Sequence, residues 1–81
     1  MSKAEKLRDK ILSGKSDRNI RFADLCKFVE ALGFVCSSTA TSHHVYSRPD
    51  VVEILNFQDD AGSAKPYQVK QARKIVEKYN L

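Results

Sequence analysis

Few residues in this chain are of the kinds that cross-link or punctuate a fold. Tryptophan is absent, and 81 residues include only two prolines, three glycines and two cysteines. Two thiols, Cys26 and Cys36, cannot build the disulfide scaffold that supports many small secreted domains. Neither lies in a Cys-x-x-Cys pair, and with the two histidines they match no zinc spacing, so no metal and no cofactor is expected. No apolar run approaches the ~20 residues of a membrane-spanning helix. Met1-Ser2-Lys3-Ala4-Glu5-Lys6 leads into charge, not into the apolar segment of a signal peptide. A cytoplasmic chain with reduced thiols and no membrane contact is the expectation. Without internal repeat, low-complexity stretch or linker, residues 1–81 should form one domain.

What is present is ordinary globular material: 42% of the residues are apolar, which argues against disorder. A domain this short buries only about 60–65% of the surface its unfolded chain exposes. Its core is one thin layer, and any active site should be shallow, which suits a large, extended substrate. Fourteen basic and ten acidic side chains leave a net charge of +4. That excess permits nucleic-acid binding without demonstrating it.

Residues 3–13 place Ala4, Leu7, Ile11 and Leu12 at helical spacing, with Gly14 as the stop. Lys15-Ser16-Asp17-Arg18-Asn19 reads as a polar connector. A second helix is predicted from about Phe22 to Leu32, where Phe22, Leu25, Cys26, Phe28, Val29 and Leu32 make a broad apolar face, and Gly33 ends it. Phe34-Val35-Cys36 reads as a strand, Ser37–Thr41 as a turn and His43–Ser47 as a second strand. Arg48-Pro49-Asp50 is a further turn, followed by a strand over Val51–Phe57 that is partly apolar on both faces. After a polar loop, Pro66 opens a last helix. Tyr67, Val69, Ala72, Ile75, Val76 and Tyr79 are expected on its buried side, and Lys70, Arg73, Lys74 and Lys78 on its exposed side. Strands in the middle and helices at the ends give an α+β fold, a three-stranded antiparallel sheet packed by helices.

His43 and His44 are adjacent and are the chain's only histidines. On a strand, neighbours point to opposite faces, so one should meet the helices and the other solvent. Imidazole both accepts and donates protons near neutrality. RNA carries its own nucleophile, the 2′-hydroxyl. A metal-free ribonuclease therefore needs a base, a proton for the leaving oxygen and cations to balance the phosphate. Spacing alone leaves a packing role open for both histidines. It likewise leaves the basic side of the last helix open between phosphate contact and a solvated face, since Glu77 interrupts it. Among those cations only Arg73 has the fork geometry that grips a phosphate twice.

Leu32-Gly33-Phe34, then Ser42-His43-His44-Val45-Tyr46, then Lys65-Pro66-Tyr67-Gln68-Val69-Lys70-Gln71-Ala72-Arg73 resemble, in order and spacing, the HicA family of bacterial toxins. The resemblance runs from about Asn19 to Leu81, leaving residues 1–18 as an N-terminal extension with an extra helix. It implies a fold similar to the double-stranded RNA-binding domain and cleavage of messenger RNA by a histidine of the Ser-His segment. It also implies neutralisation by a HicB-type antitoxin in a type II toxin–antitoxin pair. Residue by residue, Ser42 and His43 fall on the family's Ser-His positions and His44 on its frequent second histidine. His43 is the expected acid/base group, with His44 next. Ser42, Lys65, Lys70, Arg73 and Lys74 are the expected RNA contacts. Thr39-Ala40-Thr41 stands where the family usually has a cation and a glycine before the serine. That departure keeps an alternative in view, a non-catalytic RNA-binding module of the same fold. A third possibility is a domain whose sheet only docks a partner protein.

Overall fold

The computed structural model describes residues 2–38 and 43–81. Of the turn expected over Ser37–Thr41, Ser37 and Ser38 belong instead to the first strand, paired along the sheet, and the remainder, with the candidate Ser42, lies outside the described residues. Helices α1 (Lys3–Ser13) and α2 (Phe22–Ala31) precede strands β1 (Val35–Ser38), β2 (His43–Arg48) and β3 (Val51–Gln58), and helix α3 (Pro66–Tyr79) closes the chain. A single turn of 3-10 helix at Asp17–Asn19 joins the first two helices. The strands form an antiparallel sheet in the order β1-β2-β3. This is the α+β architecture expected from the pattern.

Local chemistry sets the boundaries. The Ser2 hydroxyl accepts the Glu5 N–H and starts α1, while Gly14, at φ 72°, ends it. Gly33, at φ 96°, turns the chain from α2 into β1, with the Phe34 N–H donating to the Val29 carbonyl at 3.1 Å. Pro66 occupies the first turn of α3, where its missing N–H costs nothing. The loop before α3 is tied to the start of α2 by Phe22 N–H to the Gly62 carbonyl and Ala64 N–H to the Ile20 carbonyl. These bonds hold the N-terminus of α3 close to the N-terminus of α2.

Strand alternation decides the ambiguity of the third strand. Val51, Leu55 and Phe57 are buried, whereas Val52 and Ile54 are exposed. In β2 the buried partner set is led by Tyr46, 1% exposed, opposite Leu55. The core joins these residues to Leu25, Phe28 and Val29 of α2, Val69, Ala72 and Ile75 of α3, and Ile11 of α1. Because Ile11 is wholly buried there, the N-terminal helix shares the same core as the rest of the chain. The other face of the sheet is open. Its outward β2 and β3 positions, His43, Val45, Ser47, Val52, Ile54, Asn56 and Gln58, include no carboxylate, lysine or arginine.

Three tyrosines depart from expectation or resolve it. Tyr67, expected on the buried side of its helix, is 60% exposed. The buried face of α3 is centred on Gln68, Val69, Ala72, Ile75 and Val76, so residue 67 falls just off its edge. Tyr79 is half-buried; its hydroxyl donates to the Glu53 carboxylate at 2.6 Å and accepts the Val52 N–H at 3.2 Å. Tyr46 is a core residue whose hydroxyl donates to Glu30 Oε2 at 2.6 Å. Burial, then that hydrogen bond, pushes the Tyr46 phenol far above its ordinary range.

Candidate active site

β2 begins at His43 and carries both histidines at one end of the sheet. His43 is exposed and His44 is half-buried. The alternation expected of neighbours on a strand is therefore present. His44 pairs across the ladder with the buried Phe57, and its ring stands edge-on to Phe22, with centroids 5.0 Å apart at 81°. It also lies 6.3 Å from the Tyr46 ring. Contacts of this kind immobilise an imidazole within the aromatic layer between sheet and helices.

His43 has different surroundings. Its partner across the ladder is Gln58 at the end of β3, so the two side chains share the open face of the sheet. Gln58 Oε1 accepts a hydrogen bond from Lys65 Nζ at 3.2 Å. The fold thus brings an exposed imidazole, an amide and an ammonium to one corner. Gln58 was not among the candidates read from sequence. Its only signal is antiparallel register, which the sequence does not supply without the turn.

The other expected cations divide. Arg73 does not face solvent. Its Nη1 and Nη2 donate to the two Asp17 carboxylate oxygens at 2.9 and 3.0 Å, and Nη1 also donates to the Ile11 carbonyl at 3.0 Å. The two side chains are 16% and 10% exposed. The fork that made Arg73 the best phosphate gripper is committed to a structural clamp between α3, the 3-10 turn and the end of α1. Hydrogen bonding from Arg73 is the main reason the Asp17 carboxyl sits below its ordinary range; burial opposes it, and the charges of Arg73 and Lys70 assist. Gly14 lies beside this clamp, and its left-handed φ of 72° is what favours glycine there.

Lys70 and Lys74 are exposed. With Tyr67, Gln71, Lys78 and Glu53 they border a shallow groove of about 470 Å³ between α3 and the free edge of β3. Lys78 Nζ reaches Glu53 Oε2 at 2.8 Å. That hydrogen bond, followed by the one from Tyr79, lowers the Glu53 carboxyl to about 2. A second groove of about 550 Å³ runs between α1 and α2 and is lined by Leu7, Phe28 and Leu32 among others. It contains none of the candidate residues.

Among the described residues, no group of three or more histidine, cysteine, aspartate and glutamate side chains converges as a metal site requires. Burial pushes the Cys26 thiol up, which marks it as an inert packing residue. Among the described residues, no helix is long and apolar enough to cross a membrane. Comparison of the chain with protein-family models, with curated proteins and with solved structures gives no match.

Proposed function

We propose that this chain is a metal-independent endoribonuclease of the HicA toxin type, with His43 as its acid/base group and Lys65, bonded to the cross-strand partner of His43, as an accompanying cation. The observation that carries this reading is the corner formed by His43, Gln58 and Lys65. The imidazole is exposed, and the lysine hydrogen-bonded to its cross-strand partner supplies positive charge close by.

The chemistry follows from RNA itself. Imidazole removes the 2′-hydroxyl proton, and the resulting oxyanion attacks the adjacent phosphorus. The bond from phosphorus to the 5′ oxygen breaks, leaving a 2′,3′-cyclic phosphate; the departing oxygen takes a proton from solvent, and the imidazolium returns its own proton to solvent. A positioned base contributes about 10²–10⁴ in rate to such a step. A lysine ammonium offsets the negative charge that builds on the phosphate oxygens. No metal-bound hydroxide is needed because the nucleophile is already part of the substrate. The element order after α1 also agrees with this reading. A helix, three antiparallel strands and a basic final helix form the arrangement that the family resemblance implies. In the same reading a HicB-type antitoxin neutralises the chain by covering this corner, and messenger RNA is the target.

The test is cleavage by the purified chain of a labelled messenger RNA in EDTA. Products ending in cyclic phosphate, and their loss in His43→Ala with an unchanged melting curve, are the expected result. In cells, expression without the antitoxin should arrest growth for the wild type and not for His43→Ala. RNA that is retained but stays intact for hours would instead identify the binding-module alternative, which the Thr39-Ala40-Thr41 segment favours.

A further inference from the structure

We propose that the groove between α3 and the edge of β3 seats a single-stranded RNA segment, with an unpaired base stacked on Tyr67 and the backbone tracked by Lys70 and Lys74. The inference rests on the RNA reading above and deepens it by naming the form of RNA that the protein takes.

Tyr67 is the starting point. A tyrosine ring left 60% exposed beside a groove, in a domain with so little core to spare, is poorly explained by packing. Its hydroxyl is also held from within. Gln68 is fully buried, and its Nε2 donates to the Tyr67 hydroxyl at 3.4 Å. The Oε1 of the same amide is buried and has no hydrogen-bond partner among the described residues. A buried amide that leaves its acceptor unsatisfied is costly. The contact it makes orients an exposed ring, so Gln68 acts as a positioning residue for Tyr67. A fixed aromatic face beside cations is the platform on which single-stranded nucleic acids stack.

The cations are regularly placed. Lys70, Lys74 and Lys78 lie at four-residue intervals on one side of α3. Each step rises about 6 Å along the helix axis, comparable to the separation of successive phosphates in an extended strand. Lys78 is held by Glu53, so Lys70 and Lys74 are the cations available to the backbone.

Lys65 links the start of α3 to the proposed cleavage corner. Lys65 touches the partner of His43 and lies two residues before Tyr67. A strand lying along α3 toward its N-terminus meets Lys74, Lys70 and Tyr67 in turn, and the next cation, Lys65, bonds the residue opposite His43. An A-form duplex fits this geometry badly. Its bases are already stacked and hidden from an aromatic ring.

The experiment measures fluorescence anisotropy with the full chain carrying His43→Ala, so that RNA remains intact. The probes are a labelled unstructured oligoribonucleotide and a fully paired duplex of the same length. The single strand should bind roughly tenfold tighter than the duplex. Tyr67→Ala should weaken single-strand binding roughly tenfold, the effect of losing one stacked base, whereas Tyr67→Phe, which keeps the ring and loses only its bond to Gln68, should weaken it less. Lys74→Ala should lower the slope of log affinity against log salt by about 0.7. Equal or tighter duplex binding, or an unchanged affinity in Tyr67→Ala, would overturn the proposal. If His43→Ala abolishes cleavage while Tyr67→Ala leaves single-strand affinity intact, the groove is wrong and the nuclease reading stands. If binding depends on Tyr67 but the wild-type chain never cuts RNA, the groove stands and the nuclease step falls.

Discussion

His43 and His44 are chemically identical and separated by one peptide bond, yet the fold gives them opposite surroundings. One is exposed on the open face of the sheet, across from Gln58 and near an ammonium. The other is half-buried, wedged edge-on against Phe22 and close to Tyr46. Residue type says nothing about this difference. Strand parity sets it, and parity is fixed by which face of β2 puts Tyr46 opposite Leu55 in the core. The sharpest way to break the comparison is to exchange the losses. His43→Ala should reduce cleavage by about 10²–10⁴ with the melting curve unchanged. His44→Leu keeps an apolar contact for Phe22 and should hold the cleavage rate within about threefold, since the change is confined to packing. A collapse of the rate in His44→Leu with activity retained in His43→Ala would reverse the assignment.

The same contrast explains what the sequence made legible. Helix spans, the three strands and their antiparallel order follow from periodicity and from Gly14, Gly33 and Pro66, because those signals are local. The opposed fates of the histidines were also legible as a pair, though not which faced outward. The two apolar sides of Val51–Phe57 looked equivalent, and only contact with the helical layer distinguishes them. Two readings of the last helix did not carry through. Arg73 looked like a free cation because Asp17, its partner, is 56 residues away. Tyr67 looked buried because helical periodicity locates an apolar face without fixing its edge to within one residue. Gln58 was invisible for a related reason: cross-strand register depends on the turn, and the turn signal here is a run of small polar residues.

A second way to sharpen the comparison is to ask which cations serve the fold and which serve a ligand. Arg73 serves the fold. Arg73→Met leaves the Asp17 carboxylate without its fork and frees the Ile11 carbonyl. The expected cost is about 3 kcal/mol, a fall in Tm on the order of 15 °C. Lys70→Met should leave Tm nearly unchanged. The Asp17 carboxyl is depressed in the folded state, so its contribution is present in full above its unfolded value near 3.8 and is lost as pH falls through the lower folded value. Denaturation profiles of wild type and Asp17→Asn should therefore lie furthest apart at neutral pH and converge in acid below about pH 4. A gap that stays constant with pH would mean that the charge of Asp17 contributes nothing to the clamp.

The smallest effect concerns the carboxylate inside the basic groove. Glu53 is lowered to about 2 by Lys78 and then by Tyr79, so it is ionised at every pH at which RNA would be bound. Its stabilising part is present above the ordinary value of 4.5 and disappears only as pH falls toward 2. Near neutrality it acts as a fixed negative charge that holds Lys78 away from any phosphate. Glu53→Gln removes that charge and releases the ammonium. Single-strand affinity should rise a few-fold at low salt, and the salt slope should steepen by about 0.7, the increment of one additional phosphate contact. The amide oxygen still accepts from Tyr79, so the helix end should stay in place, while loss of the exposed ion pair with Lys78 should lower Tm slightly. If affinity is the same in Glu53→Gln at low salt, then Lys78 lies off the path of the RNA and the track ends at Lys74.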